Sequence, residues 1–408
     1  MRPKLAGLYH AYPRAFWVLW LGTLINRLGE FVVPLLGFYL VAAQGLGTGQ
    51  VSVVLSVLGL GRFVAEGFGG ALSDRIGPAA TMRLSLGGGA LLLLALGSAR
   101  GFVAVLLGAL AFSLCTALYK PAVSSAVAEL TSGAQRTRAY TLLYWAINVG
   151  ASVAPALGGW LSGLSFRLLF WLDAATMGVY ALLLAVFRGA GFQEAGARRA
   201  PARPVGRTLL PRDPLLWAFC TASLLFALTY QSYRMLALVF AQQGFTAAQY
   251  GQALSLNGLL VVVLGLPLGN LIARHNHPRW QAVGAAQLGL GFLTHAFART
   301  LGLHLLAVGL WSLGEIVSYS IGKTIITELG RPERRGTYIG LVGSMSGLAA
   351  LLAPLLGGAL LARFGSAPMW SVVAALAFGA ALLYWRLEAP VEARRAQNAG
   401  SEALAVGD

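Results

Sequence analysis

The chain is a succession of apolar runs too long for a soluble core. Twelve are read, near 14–42, 50–73, 81–99, 102–130, 139–163, 167–187, 214–241, 250–273, 281–299, 302–329, 336–362 and 367–386. Ala90 to Leu96 lies inside one and Leu376 to Leu383 inside another. Runs near ~20 residues match the ~30 Å hydrocarbon core of a bilayer. Charged residues make up 11% of the chain and hydrophobic ones 57%, whereas a soluble domain carries roughly 25% charged residues. Run length selects helices, because membrane strands alternate over about ten residues. The expected fold class is an all-α membrane protein with twelve transmembrane helices. The first run, about Ala15 to Ala42, is too long for a cleavable signal peptide. The 52 glycines suit close helix packing in lipid, as at Gly67, Gly69 and Gly70.

Part of the chain occurs twice, 199 residues apart. Ala154-Pro155-Ala156-Leu157-Gly158-Gly159 returns as Ala353-Pro354-Leu355-Leu356-Gly357-Gly358, and Trp171 as Trp370. The same shift maps Gln44 to Gln243, Gln50 to Gln249, Gly70 to Gly269, Arg75 to Arg274, Glu129 to Glu328 and Arg136 to Arg335. Apolar matches are cheap in such a chain; matches at Pro, Trp, Gln, Glu and Arg in one register are not. Six spans per half give a 6+6 arrangement of parallel repeats. The expected organisation is a six-helix bundle over 1–187, a cytoplasmic linker over 188–213, a second bundle over 214–386, and a polar, disordered tail over 387–408.

The net charge of +16 does not point to nucleic acid, because most Lys and Arg sit in the short gaps between apolar runs. With the N-terminus inside, the inner segments hold 21 Lys and Arg and the outer ones only Arg100, Arg167, Arg299 and Arg363. That asymmetry places both termini in the cytoplasm. The Arg-, Pro- and Gly-rich linker is suited to the anionic inner leaflet. Cys115 and Cys220 lie in apolar runs and read as small core residues.

Gly70-Ala71-Leu72-Ser73-Asp74-Arg75-Ile76-Gly77, after span 2, resembles the cytoplasmic loop motif of the major facilitator superfamily. Gly150, Ala154-Pro155 and Gly158-Gly159 in span 5 resemble the Gly-Pro motif of its drug:proton antiporters. Asn26-Arg27-Leu28-Gly29 with Pro34, and Tyr144-Trp145-Ala146-Ile147-Asn148-Val149-Gly150, look like bacterial multidrug-efflux members. Two features depart from that pattern: Pro78-Ala79-Ala80 precede Arg83 after the loop motif, and span 4 carries Lys120 in place of an Arg. Tyr119-Lys120-Pro121 looks instead like proton-coupled peptide transporters, whose Glu-rich span 1 signature is reduced here to Glu30. The resemblance implies spans 1, 4, 7 and 10 around a central cavity, a latch role for the loop with Gly70, Asp74, Arg75 and Gly77, and leak prevention at Pro155. The plain alternative for Asp74 is a loop charge that sets topology. For Gly150, Pro155, Gly158, Gly159 and Pro354 a hinge or seal stands beside a static kink.

Eight ionisable residues lie well inside spans: Arg27, Glu30, Arg62, Glu66, Lys120, Arg234, Glu315 and Lys323. A charge at mid-bilayer costs a few kcal/mol unless it faces water or a partner. Arg27 and Glu30 are i, i+3, and Arg62 and Glu66 are i, i+4, so each pair can meet on one helix face. They either neutralise each other or let substrate and proton compete for them. Glu315 has no cation within one turn, which makes it the first candidate for proton carriage, with Glu30 and Glu66 behind it. Pairing of Glu315 with Lys120 or Arg234 is the alternative. Asn26, Tyr119, Tyr144, Trp145, Asn148, Tyr230, Tyr233 and Tyr319 are the polar and aromatic candidates for a substrate wall.

His275 and His277 form a loop pair too sparse for a metal, and His295 reads as a packed residue. No P-loop, Cys/His cluster or catalytic triad is present, so no cofactor or enzymatic chemistry is expected. The leading expectation is a monomeric secondary transporter, moving amphipathic small molecules outward against inward proton flow. Uptake of a peptide or organic anion with protons is the second reading, and a non-transporting membrane sensor the third.

Overall fold

The computed structural model describes residues 12–187, 212–275, 278–329 and 335–406. Among the described residues the secondary structure is helical, with no strand. The helices are α1 (Arg14–Leu28), α2 (Val32–Ala42), α3 (Thr48–Ile76), α4 (Pro78–Ser98), α5 (Phe102–Ala117), α6 (Tyr119–Leu130), α7 (Gly133–Ser162) and α8 (Phe166–Val186). They continue with α9 (Pro214–Gln231), a short 3-10 turn (Ser232–Met235), α10 (Leu236–Gln242), α11 (Ala247–His275), α12 (Arg279–Phe297), α13 (Leu301–Leu329), α14 (Arg335–Phe364), α15 (Ser366–Arg386) and α16 (Glu388–Val406).

Among the described residues, eleven stretches are long and apolar enough to cross a membrane. Span 1 is α1 with α2, span 4 is α5 with α6, and span 7 is α9 with α10. The remaining span of the 6+6 pattern is α12, whose 19 residues include Gln281, Gln287 and His295 and are less apolar.

Packing groups the chain into two units, Met1–Leu46 with Val57–Leu209, and Gly47–Ser56 with Leu210–Asp408. In the first, α1 packs on α7 and α4 on α8; in the second, the equivalent pairs are α9 on α14 and α12 on α15. The first core is built on Phe16, Leu19, Leu35, Leu36, Leu40 and Tyr180, and the second on Phe219, Phe240, Tyr250, Phe292, Trp311 and Trp370. Leu91, Leu107, Leu182, Leu266 and Phe297 remain exposed, as side chains that meet lipid must.

The repeat is physical. Gln44 Nε2 donates to the Ala99 carbonyl at 3.1 Å, and Gln243 Nε2 donates to the Ala298 carbonyl at 3.3 Å. Gln50 Oε1 accepts from the Gly47 amide at 3.2 Å, and Gln249 Oε1 accepts from the Thr246 amide at 2.8 Å. Gly45 and Gly244 turn the chain at equivalent places with φ of 65° and 81°, a left-handed backbone that favours glycine. Trp171 and Trp370 do not share an environment: the first is exposed and the second fully buried.

α7 and α14 run on through Pro155 and Pro354. The interruptions fall at Gly29–Phe31 in span 1, at Leu118 in span 4 and at the 3-10 turn of span 7. The tail is no disordered strand of polar residues but the helix α16. Its Val391 is 1% exposed. Arg395 pairs with Glu328 at 2.6 Å, Arg279 with Glu388 at 2.9 Å, and Asn398 donates to the Glu328 carbonyl at 2.8 Å. Polar composition concealed a helix whose charges have fixed partners. The expected linker lies outside the described residues over 188–211.

Candidate functional site

In the first unit a polar cluster gathers at the break in span 1. Arg27, in the last turn of α1, forms an ion pair with Glu30, which stands in the break itself. Their side chains are 28% and 34% exposed. The expected i, i+3 meeting therefore occurs. One turn earlier, Thr23 Oγ1 lies 3.0 Å from the Tyr119 hydroxyl and 3.3 Å from that of Tyr180. Tyr180 also donates to the Leu19 carbonyl at 3.1 Å. Arg27 Nε and Asn26 Oδ1 are buried with no hydrogen-bond partner.

Span 5 reaches this break through its glycines. A Cβ at Gly150 would fall 2.7 Å from the Arg27 carbonyl oxygen, and one at Gly158 would fall 2.8 Å from Leu35 Cδ1. The Gly-Pro motif thus acts here as a close-packing surface for a broken helix. The second unit repeats the device, since a Cβ at Gly357 would meet Met235 Cγ of the 3-10 turn at 2.7 Å. Pro155, Gly159 and Pro354 are buried. Asn148 donates to the Tyr144 carbonyl at 2.7 Å, and the Tyr144 ring is exposed. Trp145 stacks on Trp20 at 6.4 Å.

In the second unit Glu315 is the centre. Its two oxygens accept from neutral donors, the Tyr230 hydroxyl at 2.7 Å and Asn257 Nδ2 at 2.7 Å. Asn257 also bonds Ser312 at 2.9 Å. Aromatic rings surround the carboxyl's partner: Tyr230 lies 5.7 Å from Tyr233, 6.4 Å from Trp311 and 5.6 Å from Tyr319, ring centre to ring centre. Tyr319 is exposed and also meets Phe226 at 6.1 Å. Within this unit Glu315 is not paired with Arg234, which stands half-buried in the 3-10 turn.

The remaining candidates are more peripheral. Arg62 and Lys120 are exposed, as are Asp74 and Arg75 on the last turn of α3. Gly70 is half-buried, and Gly77 has a φ of 84° that lets Pro78 start α4. The side chains of Glu66, Lys323 and His275, and all of His277, lie outside the described residues. His295 is packed as expected, 2.9 Å from His304 between ring nitrogens.

Sequence reasoning missed two polar groups. Asp173 in α8 is 4% exposed and accepts from the Val32 amide at 3.0 Å; it is not among the eight charges expected inside spans. Asn257 is not among the polar candidates expected from the sequence, and its partners Glu315 and Ser312 lie 58 and 55 residues away. Both break the repeat, since the shift puts Val372 opposite Asp173 and Leu58 opposite Asn257.

The family model of the Major Facilitator Superfamily matches residues 19–246 and 233–406. The chain belongs to that superfamily. A relative described as an uncharacterised MFS-type transporter, YqjV of Bacillus subtilis, is 23% identical over 363 residues, covering 86% of this chain and 87% of that protein. The multidrug resistance protein MdtH of Aeromonas hydrophila is 28% identical over 360 residues, covering 84% and 87%. Among solved structures, that of a peptide transporter POT in complex with sulfate superposes with a TM-score of 0.77 at 17% identity, covering 94% of this chain and 96% of that one. The last shows a shared fold, with two six-helix repeats. The superfamily consists of transporters, and this chain is a multi-pass membrane protein.

Proposed function

We propose that the chain is a proton-coupled exporter of amphipathic small molecules, working by alternating access with both termini in the cytoplasm and a monomer as the functional unit. The observation that carries this reading is Glu315. It is a carboxyl held by two neutral donors, one of which, Tyr230, packs among aromatic side chains. A carboxyl whose partners among the described residues are neutral can take and release a proton during a transport cycle, and the aromatic faces offer apolar contact to a flat or amphipathic solute. The Arg27–Glu30 pair is already matched, so it serves binding or closure better than proton carriage. The relationship to multidrug resistance proteins supports export.

Uptake of a peptide or organic anion is the second reading. Lys120 favours it, an exposed cation in span 4 beside Tyr119 and Pro121. Reversing the pH gradient across proteoliposomes separates the two. An exporter of the proposed kind accumulates an amphipathic dye inside the vesicle when the gradient drives protons out of it. Accumulation in the direction of proton flow would favour the second reading.

A further inference from the structure

We propose that Asp173 is a positioning residue for transport: by holding the break in span 1 it sets where the Arg27–Glu30 pair stands.

The break frees backbone amides at the start of α2. Phe31 N finds the Gly29 carbonyl at 2.8 Å, and Val32 N is taken up by Asp173 Oδ2 at 3.0 Å, from another helix 141 residues away in sequence. An unmet amide in the hydrocarbon region costs several kcal/mol, so a non-helical segment there needs such a partner. A carboxyl is the strongest acceptor available, and a helix N-terminus favours it electrostatically. Asp173 is the one carboxylate among the buried polar side chains of the described residues. The amide it accepts from, Val32, lies two residues after Glu30 and five after Arg27.

One stripe of α8 carries the rest of the contact. Thr176 and Tyr180 follow Asp173 on the same face. A Cβ at Gly29 would collide with Thr176, and one at Gly22 with the Tyr180 ring. Tyr180 then bonds the Leu19 carbonyl. Span 6 therefore grips span 1 on both sides of Arg27, above through Tyr180 and below through Asp173. The second unit has Val372 at the equivalent place, and its span 7 bends through a 3-10 turn with no acid cap. The device belongs to the half that holds the ion pair.

Two measurements on the full-length protein test this. Hydrogen–deuterium exchange of a peptide covering Gly29 to Leu36 is followed in the parent, Asp173→Ala and Asp173→Asn. Removing the acceptor is expected to speed exchange by about tenfold, whereas Asn keeps an acceptor oxygen and stays within about threefold. Ethidium counterflow in proteoliposomes is then measured for Asp173→Ala with and without Glu30→Gln. A loss of about tenfold in the parent background that disappears in the Glu30→Gln background is the expected coupling. Thermal stability should fall by the same amount in both backgrounds. Unchanged exchange in Asp173→Ala, an Asn variant as defective as Ala, or equal counterflow losses in both backgrounds would each overturn the proposal. A parent that exchanges no ethidium counts against the export reading and leaves hydrogen exchange to decide the role of Asp173.

Discussion

Arg394 donates a 2.9 Å hydrogen bond to Asp213 across 181 residues of sequence. The same carboxyl oxygen accepts from the Tyr338 hydroxyl at 2.6 Å. The other oxygen caps α9, accepting from the Leu215 and Leu216 amides at 3.1 and 3.4 Å. One carboxylate thus ties the start of span 7, the start of span 11 and the C-terminal helix α16 together.

That tie has a pH signature. Burial alone would raise the Asp213 carboxyl, but the bonds from Arg394 and Tyr338 outweigh it and hold the group below the usual carboxylate range. A lowered folded-state value means stability present above the unfolded value of about 3.9 and lost as pH falls through the folded one. Asp213→Asn keeps the cap but loses the charge. It is expected to cost roughly 1 kcal/mol at neutral pH, with parent and variant converging as pH falls through the lowered folded-state value. Thermal unfolding in detergent across pH checks this.

Truncation after Leu387 removes the partners of Asp213, Glu328 and Arg279 at once. It also exposes the surface that Val391 covers. The melting temperature should fall by several degrees, and most of that loss should be reproduced by Val391→Asp. A truncated protein as stable as the parent would show that α16 contributes nothing to the second unit.

Gly150→Ala places a methyl group against the Arg27 backbone. Overpacking of this kind costs about 1–3 kcal/mol. Gly178→Ala, where a Cβ meets nothing within 4 Å, should be neutral or slightly stabilising because Ala is the better helix former. Folded yield and melting temperature of the two variants give the comparison.

Much of this was legible from the residues. Apolar run length gives the helices, and the 199-residue register predicts side chains that repeat their work, as Gln44 and Gln243 do at Ala99 and Ala298. The i, i+3 spacing anticipates the Arg27–Glu30 pair. What spacing could not show depends on distant partners. Asp173 looks like a residue near a span end until α2 is seen to begin beside it. The polar stretch from Glu388 to Asn398 reads as a solvated tail until Glu328, Asp213 and Arg279 are found opposite its charges. Pro155 and Pro354 sit inside continuous helices, because a long helix can absorb one missing hydrogen bond where neighbours pack closely. The residue-by-residue mismatch between the repeats was the better signal, and it flags Asp173 and Asn257 as readily as Glu315.

Tyr230→Phe and Asn257→Ala each remove one donor from Glu315. Hydrogen bonds to a charged group contribute about 1.5–3 kcal/mol, so proton-driven transport should fall by about tenfold or more in each. Tyr233→Phe, whose ring lies beside Tyr230 and whose hydroxyl is not a donor to Glu315, should retain most of the activity. Initial rates of dye transport in proteoliposomes separate the three.

Proton coupling through Glu315 is read in the variant Glu315→Gln. The parent and the variant are compared in proteoliposomes for transport driven by an imposed pH gradient and for substrate counterflow without one. The variant is expected to lose gradient-driven transport and to keep counterflow. Gradient-driven transport at the parent rate in Glu315→Gln would contradict that coupling.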